Sequence, residues 1–338
     1  MWQRLIDIQK SVVPDILSHM LKRLDILSSI EEEQPIGRRT LSRRLGMTER
    51  VLRREVEELA ELNLIKVDAK GIALSAGGRE VLDEVQPFLT LIESRNDLAL
   101  QLKNKYPLKD IFVVRGNAEE NAFVKEELAR LTAEELIKEL SPGAVISVAG
   151  GATMALVSKF LRPKHDNLLF VPARGGLGEE PAYQSNTIVA NLAEAVEGQH
   201  RMLYAPDSIS EASLESLKAE PMVREIIDLN QQSSFLIHGI GDALEMARRR
   251  KVDEGTLRKL IEGEAVGETF GFYFNADGEL VHKVKTIGLQ LEDLDKKTSI
   301  FAVAGGESKK EAVKAYLKLA PENTILIIDE VIARHLLA

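Results

Sequence analysis

Seven arginines lie within nineteen residues near the N-terminus of a chain that is otherwise acidic. Between Ile36 and Arg54 the only acid is Glu49, so this segment carries a net charge of +6 (seven arginines and one acid), whereas the whole chain carries −9. Guanidinium groups bind phosphate oxygens and guanine edges. This arginine stripe therefore predicts a nucleic-acid interface, with a solvated pair of charged helices as the alternative. Its members are Arg38, Arg39, Arg43, Arg44, Arg50, Arg53 and Arg54.

The residues around the stripe predict two short helices joined by a tight turn. Thr40 can cap a helix over Leu41–Leu45, and Gly46 can supply the turn. Thr48 can cap a second helix that runs to about Glu61. This is the layout of a helix-turn-helix, whose second helix enters the major groove of DNA. On that helix three apolar residues recur at four- and three-residue steps and should face the core: Leu52, Val56 and Leu59.

The polar face of these helices is the candidate DNA interface. The first turns of a recognition helix contact base edges, and arginine pairs with both guanine and phosphate, so the sequence leaves open which of the two each arginine contacts. The candidate DNA-binding residues are Arg38, Arg39, Arg43, Thr48, Glu49, Arg50, Arg53 and Arg54.

Flanking patterns complete a small domain. Val12–Ile30 has helical apolar periodicity, with Pro14 in its first turn. Alternating residues in Ile65–Val67 and Ile72–Leu74 predict a two-stranded wing that turns at Lys70-Gly71. Residues 1–88 are therefore expected to form a winged helix-turn-helix domain.

A further helix is predicted over Arg79–Asn104, interrupted by Pro87, as a linker that continues to about residue 105. Its apolar residues exceed what one small domain can cover. We interpret the excess as a dimerisation surface, with packing on its own domain as the alternative, and expect a homo-oligomer, either dimer or tetramer. The apolar residues are Val81, Leu82, Val85, Leu89, Leu91 and Ile92.

Four glycine-rich loops follow apolar runs in residues 89–338. Glycine lets backbone N–H groups approach an anion, although such loops also occur for packing reasons alone. Cations near these loops, at Arg174, Lys309 and the Arg248–Arg250 run, predict a phosphate pocket. No loop matches a P-loop or a clean dinucleotide fingerprint, so a small phosphoester is preferred over a nucleotide. The loops lie in VISVAGGATM, LLFVPARGGLG, FLIHGIGDA and FAVAGGESKK.

The alternation of strands and helices predicts an open, mainly parallel α/β sheet, in which ligands bind beyond the carboxyl ends of the strands. One antiparallel hairpin is predicted from Gly271–Phe274 and Glu279–Val284. Predicted helices include Glu119–Leu131, Thr153–Leu161 and Lys309–Leu319. The predicted strands are Ile111–Val114, Ala144–Ala149, Leu168–Pro172, Met202–Tyr204, Ser234–His238, Ser299–Ala304 and Thr324–Asp329.

Composition excludes several classes of site. The chain has no cysteine, and its six histidines show no close ligand spacing, so neither a disulfide nor a metal site is predicted. No apolar stretch approaches the length of a membrane span, and a cytoplasmic protein is expected. Residues 1–88 carry −1 (14 basic, 15 acidic), which leaves −8 for the remainder, so only the arginine stripe should attract DNA.

Several strings resemble the SorC-type, DeoR-related family of sugar-responsive repressors. They are PIGRRTLSRRLGMTERVLR, VAGGAT, LLFVPARGGLGEE and FGFYFNADGELVHKV, and the resemblance covers essentially the whole chain. It implies a winged helix-turn-helix joined to an effector domain similar to sugar-phosphate isomerases and deaminases. It also implies repression of glycolytic genes through operator DNA, relieved by fructose 1,6-bisphosphate, with no cofactor.

The resemblance also implies the effector-binding residues. Gly150, Gly151, Ala152 and Thr153 would line one phosphate, and Lys309 would bind the other. Glu268 would accept a hydrogen bond from a sugar hydroxyl. Family members commonly carry a hydroxyl residue at the position of Ala152, so a side-chain contact is lost there. The remaining implied effector residues are Arg174, Gln184, Arg249 and Arg250.

An active isomerase or deaminase is the rival interpretation, because His238 and Asp242 in HGIGD resemble the start of the deaminase loop. Here the loop continues into ALEMARRR, without the expected catalytic histidine. We therefore expect His238 to be structural, no catalytic residue and a sensor rather than an enzyme. A transcriptional activator of the same family is a further alternative, because the sign of regulation depends on where the operator lies.

Overall fold

The computed structural model describes residues 15–162, 167–175, 180–205 and 211–338, with the backbone alone described at residues 15–18, 21, 32, 86–97 and 211. The predicted helix start at Val12, with Pro14, and the end of the PARGGLG loop lie outside the described residues. The chain divides into two compact units, Met1–Glu93 and Ser94–Ala338. No helix among the described residues combines the length and apolar character that crossing a membrane requires.

The first unit has the predicted helix-turn-helix and wing. Strands β1 and β2 are antiparallel, and Ile65 is paired with Leu74. The three helices pack around one apolar core that includes Leu41, Leu52 and Leu59. Gly46 has φ +63°, a conformation that favours glycine, and so makes the tight turn between α2 and α3. The elements are α1 (Asp15–Glu32), α2 (Arg38–Arg44), α3 (Glu49–Glu61), β1 (Ile65–Asp68) and β2 (Gly71–Leu74).

Two local predictions in this region are wrong. Thr40 lies inside α2 and does not cap it, because the helix begins at Arg38 with the extended residue Gly37 as its N-cap. The linker helix, α4 (Ala76–Lys105), is continuous through Pro87. A proline removes a single backbone hydrogen bond from a helix, and in a helix of 30 residues the turns on either side retain theirs.

The second unit is built on the seven-stranded parallel sheet that the sequence predicts. Its strand order is β3-β13-β12-β7-β4-β5-β6, and every neighbouring pair is parallel. The chain reverses its direction of travel across the sheet between β4 and β7, which creates a crevice at their carboxyl ends. The strands are β3 (Asp110–Val114), β4 (Val145–Val148), β5 (Leu169–Pro172), β6 (Gln199–His200), β7 (Phe235–Gly239), β12 (Ser299–Ala304) and β13 (Thr324–Asp329).

Helices cover both faces of this sheet. One apolar cluster includes Leu128, Met154 and Leu192, and a second includes Val313 and Ile332. The helices are α5 (Ala122–Glu139), α6 (Ala152–Val157), α7 (Ser185–Ala195), α8 (Glu211–Ala219), α9 (Pro221–Gln232), α10 (Ala243–Arg249), α11 (Glu254–Glu262), α12 (Lys310–Tyr316) and α13 (Glu330–Leu337).

A second, antiparallel sheet contains the predicted hairpin and extends it. Its order is β11-β10-β9-β8, and the two strands outside the hairpin were not predicted. Both are hard to recognise, because β8 has two residues and β9 carries Gly267 in its middle. The strands are β8 (Gly241–Asp242), β9 (Ala265–Thr269), β10 (Phe272–Asn275) and β11 (Leu280–Lys283).

One predicted strand and several helix ends need correction. Met202–Tyr204 is not a strand, because the edge strand β6 pairs with β5 earlier, at Gln199 and His200. Helix α5 begins at Ala122, where the side chain of Asn121 accepts a hydrogen bond from the Phe123 N–H, and it continues to Glu139. The predicted ends Leu161 and Leu319 lie beyond the ends of α6 and α12.

Candidate functional site

A cavity of about 510 Å³ lies at the carboxyl ends of the parallel strands. The loops after β4, β7 and β12 meet there, on either side of the crevice between β4 and β7. Nine of the ten predicted effector residues line it, and the exception is Gln184. These nine are Gly150, Gly151, Ala152, Thr153, Arg174, Arg249, Arg250, Glu268 and Lys309.

Close backbone approach explains the glycines after β4. A Cβ atom on Gly150 would lie 2.7 Å from the carbonyl oxygen of Tyr183. The next residue, Gly151, donates its N–H to the same oxygen at 2.9 Å and has φ +139°. Ala152 and Thr153 then open α6, and the half-buried Thr153 side chain lines the cavity.

Arg174 is fixed in place by backbone pairing after β5. It forms a β-bridge with Gly288, where a Cβ atom would lie 2.2 Å from the carbonyl oxygen of Ala173. The flanking N–H groups of Gly175 and Leu289 donate across this bridge at 3.1 and 2.7 Å. Arg174, which is only 2% exposed, is thereby held at the cavity.

A buried cluster of two arginines and one glutamate forms part of the cavity wall. Glu268 Oε1 lies 2.5 Å from Arg250 Nη2 and 3.7 Å from Arg174 Nη1, and it accepts the Gly271 N–H at 2.5 Å. Arg250 also donates to the Tyr273 hydroxyl at 3.0 Å. One carboxylate therefore lies close to two buried guanidinium groups.

The side chains of both arginines are buried. Burial, together with the neighbouring charge of Arg250, lowers the pKa of Arg174 to about 9. Burial opposes the charged form of Arg250 as well, but Glu268 and Tyr273 raise its pKa above the ordinary value. Both guanidinium groups line the cavity, and guanidinium is a favourable partner for a phosphate.

Lys309 lines the cavity after β12. Its Nζ donates to the carbonyl oxygen of Gly305 at 3.0 Å, and burial lowers its pKa below the ordinary value. The neighbouring backbone donors are engaged by carboxylates of the protein: Asp329 accepts from Gly306 N–H at 2.6 Å, and Glu119 accepts from Ser308 N–H. In this turn, the charged Lys309 side chain lines the cavity, and the tightly packed glycines fix the position of the backbone.

Sequence reasoning missed other residues that line the cavity, including Lys125, Glu180 and Tyr183. Lys125 lies in the first turn of α5, and no glycine-rich loop or motif in the sequence marks its position. The structure places Gln184 outside this lining, at the N-cap of α7. Arg249 lies at the cavity with its guanidinium paired to Glu245.

His238 lies buried in the sheet and does not line the described cavity. Its Nε2 lies 3.0 Å from the Tyr316 hydroxyl, and its Nδ1 lies 2.7 Å from the Thr269 hydroxyl. Burial lowers the pKa of His238 to about 4, so it is neutral at physiological pH. Asp242 caps α10 by accepting the Glu245 N–H at 2.7 Å. Both residues of the HGIGD string thus have structural contacts.

The candidate DNA interface lies on α2 and α3. Thr48 caps α3 by accepting a hydrogen bond from the Val51 N–H, as predicted. The stripe arginines are exposed, and they divide by ion pairing. Arg38, Arg43 and Arg50 have no ion pair among the described residues. The others are paired: Arg39 with Glu49, Arg44 with Glu33, Arg53 with Glu57 and Arg54 with Glu58.

The buried face of α3 carries a glutamate that the sequence did not single out. Glu55 accepts hydrogen bonds from Lys22 Nζ at 2.6 Å and Arg23 Nε at 3.0 Å, and both donors lie on α1. His19, Glu55 and Glu58 are close enough to share a metal ion, but Lys22 and Arg23 already donate to the two carboxylates. The contacts therefore fix the recognition helix to α1.

Comparisons with known proteins agree with these two units. Residues 19–89 match the family model "CggR N-terminal DNA binding domain", and residues 91–338 match the model "Putative sugar-binding domain". A crystal structure described as "the putative SorC family transcriptional regulator from Enterococcus faecalis" is 35% identical, with a TM-score of 0.68. The match covers 72% of this chain and 100% of that one.

The chain therefore belongs to the SorC family of transcriptional regulators, with a DNA-binding domain and a sugar-binding domain. Within this class it is similar to the central glycolytic genes regulator of Bacillus subtilis, at 43% identity over 99% of this chain and 98% of the relative. The central glycolytic genes regulator of Priestia megaterium is also 43% identical, over 98% of each chain. These relatives are named as regulators and not as enzymes.

Proposed function

We propose that this protein represses glycolytic genes by binding operator DNA as a homo-oligomer, and that a phosphorylated sugar relieves the repression. Fructose 1,6-bisphosphate is the proposed effector. The relatives' role as central glycolytic genes regulators supports the choice of target genes. The resemblance to sugar-responsive repressors supports repression rather than activation.

The observation that carries the effector proposal is the distribution of cations around one cavity. In the cluster, Arg174 follows β5, Arg250 is the C-cap of α10 and Glu268 lies on β9, whereas Lys309 follows β12 and Lys125 lies on α5. A bisphosphate carries two anionic groups and can use cations contributed by separate elements. A monophosphate leaves one set without a partner and should bind more weakly.

Relief of repression requires that the ligand favour one conformation over another, because a ligand with equal affinity for both shifts nothing. The effector residues lie in residues 94–338, and the arginine stripe lies in the first unit. A change at the cavity should therefore alter the response to the sugar while leaving ligand-free DNA binding intact.

Lys309→Ala in the full chain tests this proposal. Losing a charge-assisted hydrogen bond costs about 1.5–3 kcal/mol, so calorimetry should show fructose 1,6-bisphosphate binding weakened by roughly one to two orders of magnitude. Operator binding without the sugar should be unchanged, and no turnover of the sugar is expected. Lys314→Ala, at an exposed site on α12, is the matched control. Normal sugar binding by Lys309→Ala, or a parallel loss of DNA binding, would contradict the proposal.

A further inference from the structure

The turn after β12 already holds a carboxylate of the protein. Glu119, on the connection between β3 and α5, accepts hydrogen bonds from the Ser308 N–H at 3.1 Å and from the Ser308 hydroxyl. Converging N–H and hydroxyl groups in a glycine-rich turn are the donors that a phosphate would use.

Packing brings Glu119 next to the cavity cation. Gly306 has φ +111°, and a Cβ atom on it would lie 2.6 Å from Glu119 Cγ, so this glycine makes room for the side chain. Lys309 directly follows Ser308 and lines the cavity. Burial alone would raise the pKa of Glu119, but the hydrogen bonds from Ser308 and the charge of Lys309 lower it below the ordinary value. The carboxylate is therefore ionised at neutral pH.

We infer that Glu119 is an internal anion, held by this turn beside Lys309, whose charge lowers the affinity of the cavity for a second phosphate. The inference rests on the proposed function. A phosphate that approaches Lys309 is repelled by the Glu119 carboxylate, which shares the positive charge of that lysine. A ligand with a neutral group at this end meets no such repulsion. Glu119 is thus a specificity-determining residue that reduces the advantage of a bisphosphate over a monophosphate.

The test compares Glu119→Gln with wild type in the full chain, by calorimetry with fructose 1,6-bisphosphate and fructose 6-phosphate. Glutamine keeps the size of the side chain and removes the charge. We expect the bisphosphate to bind about three- to tenfold more tightly, from the loss of one repulsive charge at a solvated site, and the monophosphate to change less. Glu120→Gln, the same charge change at the exposed neighbouring residue, should leave both affinities unchanged.

The outcomes separate this inference from the proposed function. Unchanged or weaker bisphosphate binding by Glu119→Gln, or an equal gain in Glu120→Gln, overturns the role of Glu119. A wild-type protein that binds neither sugar phosphate overturns the proposed function and this inference with it. Glu119→Ala, checked for folding by thermal unfolding, provides a second variant, and the same gain in affinity is expected.

Discussion

Glu268 contacts both buried arginines through a single oxygen, Oε1, which also accepts a backbone N–H. It therefore orients Arg174 and Arg250, in addition to the sugar contact that the family resemblance implies. Removing one partner from a buried charge cluster leaves uncompensated charge, so its members depend on one another. At the other cation, Lys309, the carboxylates of Glu119 and Asp329 hold the turn, and the charge of Glu245 also stabilises the protonated lysine.

Glu55 gives the first unit a pH-dependent stability. Burial would raise its pKa, but hydrogen bonds from Lys22 and Arg23 lower it from 4.5 to about 2. Because the pKa is lower in the folded state, this contribution is fully present above about 4.5 and is lost as the pH falls towards 2. Glu55→Gln should thus be less stable than wild type at neutral pH, and the difference should narrow over that range.

Chemical unfolding at a series of pH values measures this difference in the free energy of unfolding. Glu61→Gln, at an exposed position on the same helix, is the control and should follow the wild-type curve. A Glu55→Gln variant whose deficit is the same at every pH would rule out the proposed linkage.

At the scale of elements, α3 has two faces with separate tasks. One face buries Leu52, Val56 and Leu59 in the core and binds α1 through Glu55. The other exposes Arg50, whose charge is not paired among the described residues. Arg44 carries the same charge on α2 but donates to Glu33 at 2.7 Å and to the Ser29 carbonyl. The contribution of each arginine to DNA binding should therefore depend more on its position in the stripe than on its charge alone.

We predict that Arg50→Ala weakens operator binding by about 1–3 kcal/mol if the side chain contacts a base, whereas Arg44→Ala weakens it less. Fluorescence titration with operator DNA at several salt concentrations measures both effects. Each variant loses one positive charge, so the comparison separates position from net charge. Equal losses in the two variants would show that the stripe acts only as a diffuse positive field.

At the scale of the whole molecule, charge is distributed unevenly along the chain. Residues 1–88 carry −1 overall despite the stripe, and the rest carries −8. The acidic effector unit should repel DNA, which confines DNA binding to the helix-turn-helix.

A single winged helix contacts few base pairs, so proteins of this kind usually bind two DNA half-sites as dimers. We therefore predict that the full chain sediments as a dimer or tetramer, both free and on operator DNA. A monomer at micromolar concentration in both forms of the full chain would refute this prediction.

The sequence by itself determined the features that depend on neighbours in the chain. Gly46 and Thr48 mark the turn and the helix start, since a positive φ and a capping hydroxyl are local requirements. Buried parallel strands showed as continuous apolar runs, because both faces are covered by helices. The wrong or missing predictions concern features that depend on the rest of the fold. The helix that continues through Pro87 and the short strands β6 and β8 are stabilised by neighbours that are distant in the sequence.

Only the tertiary structure decided which charges meet. Glu119 and Ser308 are 189 residues apart, and Ala118 and Asp329 are 211 apart, yet each pair is hydrogen-bonded at the same turn. The sequence predicted a glycine-rich turn there, but it did not show which carboxylates accept hydrogen bonds from that turn. Likewise, Arg174, Arg250 and Glu268 become one cluster only when the loop after β5, the end of α10 and strand β9 come together. Contacts of this kind are set by sheet order and crossover, which the local pattern does not encode.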